Sequence, residues 1–165
     1  MNNQKIHDLL NKLMNIEFES HYHYMQAAAW ASYRNFDGCS KFLLDHAKEE
    51  HSHVRKLLEY INDLGANAIF SDLPKPNVES NTVEDLFASI YQREVDVTKA
   101  YDDAIVCVLN EKDNQTLSFL QWFVNEQHEE MTLCRRILDI INLIGSGPHT
   151  HYLIDIEIGK MTQSR

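Results

Sequence analysis

Four stretches of the chain carry apolar residues at alternating three- and four-residue steps, which is the spacing of helices that pack into a bundle. The predicted helices run from about Ile6 to Tyr33, from Cys39 to Leu64, from "NTVEDL" to Asn110, and from Thr116 to Ile144. Gly38 in "RNFDGC" is the predicted break between the first two, and Gly65 is a natural C-terminal cap for the second. The segments "EKDNQ" and "GSGP" end the third and fourth helices.

The segment 66–81 carries two prolines and no sustained period, so it predicts a connection long enough to run the length of a bundle. The last segment, "HTHYLIDIEIGK", alternates isoleucines with acidic residues as a strand does, but Tyr152, Leu153 and Ile156 also fit a short helix. A single strand would have no partner, so a helix is predicted. The expected fold is an all-α four-helix bundle with one long crossover and a short C-terminal fifth helix, in a single domain over residues 1–165.

Each apolar stripe is interrupted near its middle by carboxylate, imidazole or amide groups. In each half of the chain two such residues lie 33 positions apart, and another candidate ligand follows three positions later: Glu17, Glu50 and His53, then Glu94, Gln127 and Glu130. The second set repeats the first with an offset of 77 residues. Antiparallel hairpins would bring all six residues to a similar depth inside the bundle.

Four carboxylates are predicted in this cluster, and the stripes carry no Lys or Arg beside them. Burying unpaired charges costs several kcal/mol each, so the protein must protonate some of these groups or bind cations. Two divalent cations would cancel four negative charges, and the arrangement matches dinuclear carboxylate bundles. The ligand types suit Fe, Mn or Zn and do not choose between them. Gln127 is a weak, neutral ligand, so the second ion should keep open positions for oxygen or water.

The spacing also suggests how the two ions would share ligands. If Glu17 and Glu94 bridge the ions, Glu50 and His53 serve mainly one of them and Glu130 serves the other. The two ions should therefore be held unequally.

The net charge of −10 argues against nucleic acid as a partner and favours cations, although it would also serve solubility alone. Cys39, Cys107 and Cys134 form no CxxC pair, which fits a reducing cytoplasm. The first twenty residues are too polar for a signal peptide, and no apolar run is long enough to span a membrane. A cytoplasmic protein without a membrane partner is expected.

Four segments carry a family resemblance that covers nearly the whole chain: "NIEFES", "HAKEEHSH", "REVDVT" and "FLQWFVNEQHEE". They resemble the ferritin family, and within it the haem-free bacterial ferritins. The resemblance implies a homo-oligomeric shell of 24 subunits that oxidises Fe(II) with O₂ or H₂O₂ at an intra-subunit di-iron ferroxidase site. The ferric product would be stored as mineral inside the shell.

The resemblance also implies roles for individual residues. The first iron would take Glu17, Glu50 and His53, and the second would take Glu17, Glu94 and Glu130 with Gln127 beside it. A third iron would bind on the inner side of the shell through Glu49, Glu126, Glu129 and Glu130. Three of these four lie at i, i+3 and i+4 on one helix face. A solvated acidic face would equally explain Glu49, Glu126 and Glu129.

Two aromatic residues and several histidines lie near these positions. Tyr24 either supplies an electron to the di-iron site or is a core tyrosine bonded to a carboxylate, and both roles are compatible. Trp122 is expected to pack in the core rather than donate electrons. His46 lies on the second stripe and would support the ligands, whereas the remaining nearby histidines are expected at the surface or at an interface: His21, His23, His51 and His128.

Departures from related families narrow the prediction. Haem-binding relatives carry a second Glu-x-x-His pair and an interface methionine, whereas this chain has Gln127, Glu130 and Ser52 there, so haem is not expected. The small DNA-protecting relatives place iron between subunits and often have basic tails. The alternatives to a storage ferroxidase are a non-storing di-metal enzyme, such as a peroxide reductase or an oxygenase-like protein, and an inactive shell subunit. The absence of rubredoxin-type cysteines argues against the non-storing enzyme, and the complete ligand set argues against the inactive shell subunit.

Overall fold

The computed structural model describes residues 3–161, and every regular element in that range is a helix. The helices are α1 (Asn3–Tyr33), α2 (Asp37–Asp63), α3 (Val83–Glu111), α4 (Asn114–Ile144) and α5 (Thr150–Met161). Helices α1 and α2 form one hairpin, α3 and α4 form the other, and residues 64–82 connect them. The four-helix bundle, the long crossover and the helical C-terminal segment are thus confirmed. No helix in the described range is long and apolar enough to cross a membrane.

The helices begin and end near the predicted turns, with one exception. The Thr82 side chain accepts a hydrogen bond from the Asp85 amide at 3.1 Å, and Asp113 accepts one from the Thr116 amide at 3.0 Å. Gly65 adopts a positive φ of 70° just after α2, which is the conformation that favours glycine at this position.

The exception is Gly38, which was predicted to break the chain but lies in the first turn of α2. The turn before α2 uses Asn35 instead, at φ 63°. Gly38 is required by a close approach, because a Cβ atom there would lie 2.2 Å from the backbone oxygen of Asp155 in α5. The Asp155 carboxylate accepts hydrogen bonds from the amides of Gly38 (3.1 Å) and Cys39 (2.8 Å). Helix α5 therefore caps the N-terminus of α2.

Two apolar clusters form the core, one on either side of a polar layer. The first lies toward α5 and includes Ala31, Leu43, Phe87, Ile137 and Ile154. The second lies at the opposite end of the bundle and includes Leu10, Leu57, Val108 and Leu120. Each of the four long helices leaves one cluster and enters the other by passing through the polar layer. This arrangement encloses the interrupting residues from both ends.

Two asparagines of α1, one helical turn apart, attach the crossover to the bundle. Asn11 donates to the Asn67 carbonyl (3.1 Å) and accepts from the Ile69 amide (2.7 Å). Asn15 repeats the pattern with the Ile69 carbonyl (2.9 Å) and the Ser71 amide (2.8 Å). Each side-chain amide thus pairs with the extended crossover as a neighbouring strand would. Four backbone polar groups of the irregular segment are thereby satisfied along α1.

Candidate metal centre

Helices α1 and α2 bring Glu17, Glu50 and His53 together in the polar layer, as their spacing predicts. The Nδ1 atom of His53 lies 3.2 Å from Glu50 Oε2 and 3.4 Å from Glu17 Oε2. One ligand atom from each residue falls within 4.8 Å of the others, and all three side chains are buried. Two carboxylates and an imidazole at this separation form a set that can hold a divalent metal ion.

Protons and internal charge compensate this triad when no metal is bound. Burial opposes a charge on His53, but hydrogen bonds and charge from Glu17 and Glu50 raise its pKa to about 11. Burial alone would raise the pKa of Glu17, yet its hydrogen bonds from neighbouring groups, first that of His53, hold this pKa below the usual value. Burial and the charge of Glu17 raise the pKa of Glu50 well above its usual range. In the metal-free triad these shifts favour a charged His53, an ionised Glu17 and a protonated Glu50.

Glu94 occupies the equivalent position on α3, where two donors fix its carboxyl group. The Tyr24 hydroxyl donates to Oε1 at 2.7 Å, and the Gln127 amide donates to Oε2 at 3.0 Å. The Gln127 Nε2 atom also lies 3.2 Å from Thr98 Oγ1. Burial raises the pKa of Glu94, and Glu130 adds to the effect. Gln127 uses its nitrogen to hold Glu94, so its amide oxygen is the atom that it can offer to an ion.

Glu130 lies against a histidine, forming a second group that could hold a metal ion. The Nε2 atom of His46 is 3.4 Å from Glu130 Oε2 and 3.7 Å from Glu49 Oε2, and one ligand atom from each residue lies within 4.8 Å of the others. The His46 Nδ1 atom lies 3.1 Å from the Phe42 carbonyl, which only accepts hydrogen bonds, so this nitrogen carries a proton. His46, predicted to support the ligands, therefore lies within a group of candidate ligands.

The residues predicted for a third site share one acidic neighbourhood beside this group. Glu126 Oε1 lies 4.0 Å from His53 Nε2. Burial raises the pKa of Glu126, as do the charges of Glu130, Glu129 and Glu49. Glu49 and Glu126 are half-buried and Glu129 is exposed. The set leads from the buried layer to the protein surface between α2 and α4.

Comparison with known proteins identifies the family. The model of the ferritin family, described as a ferritin-like domain, matches residues 7–144. The chain belongs to the ferritin family. It is 36% identical over 162 residues to a probable bacterial non-heme ferritin-like protein of Haemophilus influenzae, covering 98% of each chain. It is 35% identical over 152 residues to a bacterial non-heme ferritin of Escherichia coli, covering 92% of each.

Solved ferritin structures have the same fold. An open pore ferritin from Archaeoglobus fulgidus has a TM-score of 0.92 at 28% identity, with 96% of this chain and 98% of that chain covered. The Chlorobium tepidum ferritin has a TM-score of 0.84 at 33% identity, with 95% of each chain covered. The similarity therefore extends over both hairpins and the crossover.

Aromatic residues around the ferritin centre differ from the sequence prediction in two respects. Trp122 was expected in the core, but it is 39% exposed. It neighbours Phe123, which occupies the inward position of the stripe, so its own ring reaches only the rim. There its ring lies nearly perpendicular to the His53 ring, with 5.5 Å between the ring centroids, and the Lys56 ammonium lies 4.3 Å from the Trp122 ring centroid.

The second difference is Tyr101, which is not among the residues predicted for the site. Its hydroxyl donates a hydrogen bond to Glu17 Oε1, and its ring stacks on Phe123 at 5.1 Å. The available signal was its separation of 77 residues from Tyr24, the same offset that relates the two ligand sets.

The remaining histidines stand apart from the buried groups. His51 and His128 are exposed, whereas His21 and His23 are half-buried. The His21 Nδ1 atom lies 2.7 Å from the Ala47 carbonyl.

Proposed function

We propose that the protein oxidises Fe(II) at the buried carboxylate centre and stores the Fe(III) product as mineral inside a hollow shell of 24 subunits in the cytoplasm. The observation that carries this proposal is the Glu17–Glu50–His53 triad, enclosed with Glu94 and Glu130 between two apolar clusters. The names of the similar proteins, bacterial non-heme ferritins, support it.

In this proposal each ion is held mainly by one hairpin. The first Fe(II) takes Glu17, Glu50 and His53, and the second takes Glu94 and Glu130, shares Glu17, and has Gln127 beside it. Carboxylate oxygens favour the more highly charged product ion, so this ligand set assists electron loss from Fe(II) to O₂ or peroxide. The raised pKa values of His53 and Glu50 favour the retention of protons by both groups in the metal-free centre. Iron binding must therefore release them, because metal ligands act in their deprotonated forms.

The acidic neighbourhood beside the centre would carry the product onward. Glu49, Glu126 and Glu129 extend from the buried layer to the surface between α2 and α4. We place a third iron site there, together with Glu130. Half-buried carboxylates can hold Fe(III) and still release it, because water reaches them.

Aerobic addition of Fe(II) with absorbance monitoring tests the oxidation. Glu50→Ala and Glu130→Ala should each slow oxidation by at least about tenfold, because each removes a charged ligand. The matched control is Glu59→Ala, which removes an exposed glutamate from the same helix as Glu50 and should leave the rate unchanged. Unchanged oxidation in both site variants would refute the assignment.

Gel filtration tests the storage part of the proposal. Assembly of 24 chains of 19.2 kDa would give a particle of about 460 kDa. Glu50→Ala and Glu130→Ala should assemble to the same size, since both side chains lie inside one subunit. A monomer or dimer that turns over Fe(II) without forming a mineral core would favour the non-storing di-metal enzyme instead.

A further inference from the structure

The internal repeat of the chain extends beyond the ligands to two buried tyrosines. Tyr24 follows Glu17 by seven residues, and Tyr101 follows Glu94 by seven residues. The hydrogen bonds cross between the halves: Tyr24 donates to Glu94 at 2.7 Å, and Tyr101 donates to Glu17. Each tyrosine therefore bonds the glutamate of the opposite hairpin rather than the one on its own helix.

Helix geometry explains the crossing. The apolar cluster toward α5 contains the late part of α1 and the early part of α3. The other cluster contains the early part of α1 and the late part of α3, so these two helices are antiparallel. Side chains on a helix tilt toward its N-terminus. Tyr24 and Tyr101 thus both lean back into the polar layer, each from one end of the bundle, and each meets the glutamate of the other helix.

Both tyrosines are placed to act as donors. Each is 1% exposed. Burial and the neighbouring carboxylates raise both pKa values well above 10, so the hydroxyls keep their protons. Each hydrogen bond occupies one carboxyl oxygen, and the other oxygen contacts a second candidate ligand. Glu17 Oε2 faces His53 at 3.4 Å, and Glu94 Oε2 faces Gln127 at 3.0 Å.

We propose that Tyr101 is a positioning residue for Glu17 and so for the ion on the Glu50–His53 side, and that Tyr24 does the same for Glu94 and the second ion. This inference rests on the two-ion centre of the proposed function. The terminal torsion of a glutamate is broad, so a donor on one oxygen fixes the direction of the other. Loss of an orienting partner typically weakens metal binding by about 10- to 100-fold.

Co(II) titration of the metal-free protein, followed by visible absorption, measures ion binding without turnover. Binding of each ion is measured separately in a variant protein that lacks one ligand of the other ion. Glu130→Ala retains the Glu50–His53 side. In that background Tyr101→Phe should lower Co(II) affinity by about tenfold or more, and Tyr24→Phe should change it by less than about threefold.

The reciprocal background is His53→Ala, which retains the Glu94 side. There Tyr24→Phe should give the larger loss of Co(II) affinity and Tyr101→Phe the smaller one. Phenylalanine keeps the ring and removes only the hydroxyl, so the packing of Tyr101 on Phe123 is retained. Thermal unfolding of each variant without metal reports any purely structural effect.

The outcomes separate this inference from the function on which it rests. If Tyr101→Phe lowers the unfolding temperature but leaves Co(II) affinity unchanged, the residue is structural and the inference is overturned. Equal losses from both tyrosines in both backgrounds would overturn the assignment of one tyrosine to each ion. If the unmodified protein binds no Co(II), the proposed function fails together with the inference.

Discussion

Replacing Glu50 with glutamine should make the metal-free protein more stable while abolishing the stability that it gains from metal. Glu50 is 3% exposed, and burial together with Glu17 raises its pKa well above the usual range. Above a pH of about 4.5 the unfolded chain releases this proton but the folded protein retains it. The unfolded state then binds fewer protons, so stability falls as pH rises from that point. Glutamine does not titrate and avoids this loss.

The size of the effect follows from the burial and shape of the site. Glutamine has nearly the volume of glutamate, so no cavity forms. Like a protonated carboxyl, its amide has one side that donates hydrogen bonds and one that accepts them. His53 keeps Glu17 as its partner. Replacing buried ion pairs with well-packed residues of similar volume is often neutral or stabilises a protein by about 1–4 kcal/mol. We expect about 1 kcal/mol at pH 7.5, equivalent to about 2–4 °C for a chain of this length.

Scanning calorimetry at equal subunit concentration, with chelator present, measures this difference. The gain should be largest at pH 7.5 and disappear below about pH 3.5, where glutamate is protonated in both states. Adding Zn(II) at one hundred times its dissociation constant should stabilise the unmodified protein by about 2.7 kcal/mol. It should stabilise the variant much less.

The matched control is Glu59→Gln on the same helix, where the side chain is exposed and the change should stay within about 0.5 kcal/mol. A lower unfolding temperature for metal-free Glu50→Gln would refute the reasoning, because it would mean that Glu50 stabilises the fold rather than serving the metal.

Three further predictions test features outside the centre. Gly38→Ala should destabilise the protein by about 1–3 kcal/mol in thermal unfolding, because its methyl group would lie 2.2 Å from a backbone oxygen of α5. The control Gly147→Ala has room for the methyl group and should have little effect. Burial and a neighbouring arginine lower the pKa of His23 to about 4. As pH falls below 6.5 the unfolded state therefore takes up a proton before the folded state does, and the stability of the fold declines. His23→Gln should show a shallower decline in unfolding temperature between pH 7 and 4.5, and an unchanged slope would contradict this. Asn11→Ala should cost about 0.5–1.5 kcal/mol and speed hydrogen exchange at the Ile69 amide, which would not happen if the crossover were held by other contacts.

The sequence was sufficient to predict the architecture because the same periodicity encodes both the core and its interruption. Glu17, Glu50 and Glu94 stand where an apolar residue would otherwise be expected, and each long helix extends far enough on both sides for its period to be read. The spacing also predicted that His53 joins Glu17 and Glu50, since a hairpin fixes the relative depth of its two helices.

Periodicity does not specify which atom meets which, and the corrections share this cause. Gly38 fits a turn by composition, but its place in α2 depends on the approach of α5, which is remote in sequence. Trp122 differs from Phe123 by one helical position, and that rotation alone moves it to the rim. The hydroxyl partner of Tyr101 depends on a helix beyond the crossover, so no local pattern could indicate it.

The crossed tyrosine bonds also bear on when a newly made chain can first bind metal. Synthesis completes the α1–α2 hairpin first, and this hairpin carries Glu17, Glu50 and His53 but not the donor to Glu17, which arrives with Tyr101. The later hairpin likewise carries Glu94 without its donor, Tyr24. Each half thus supplies a part that the other lacks, so a nascent or truncated hairpin has an unoriented centre. If the proposed centre binds metal, its organised form arises only when the two hairpins dock, so metal capture would depend on the completion of folding.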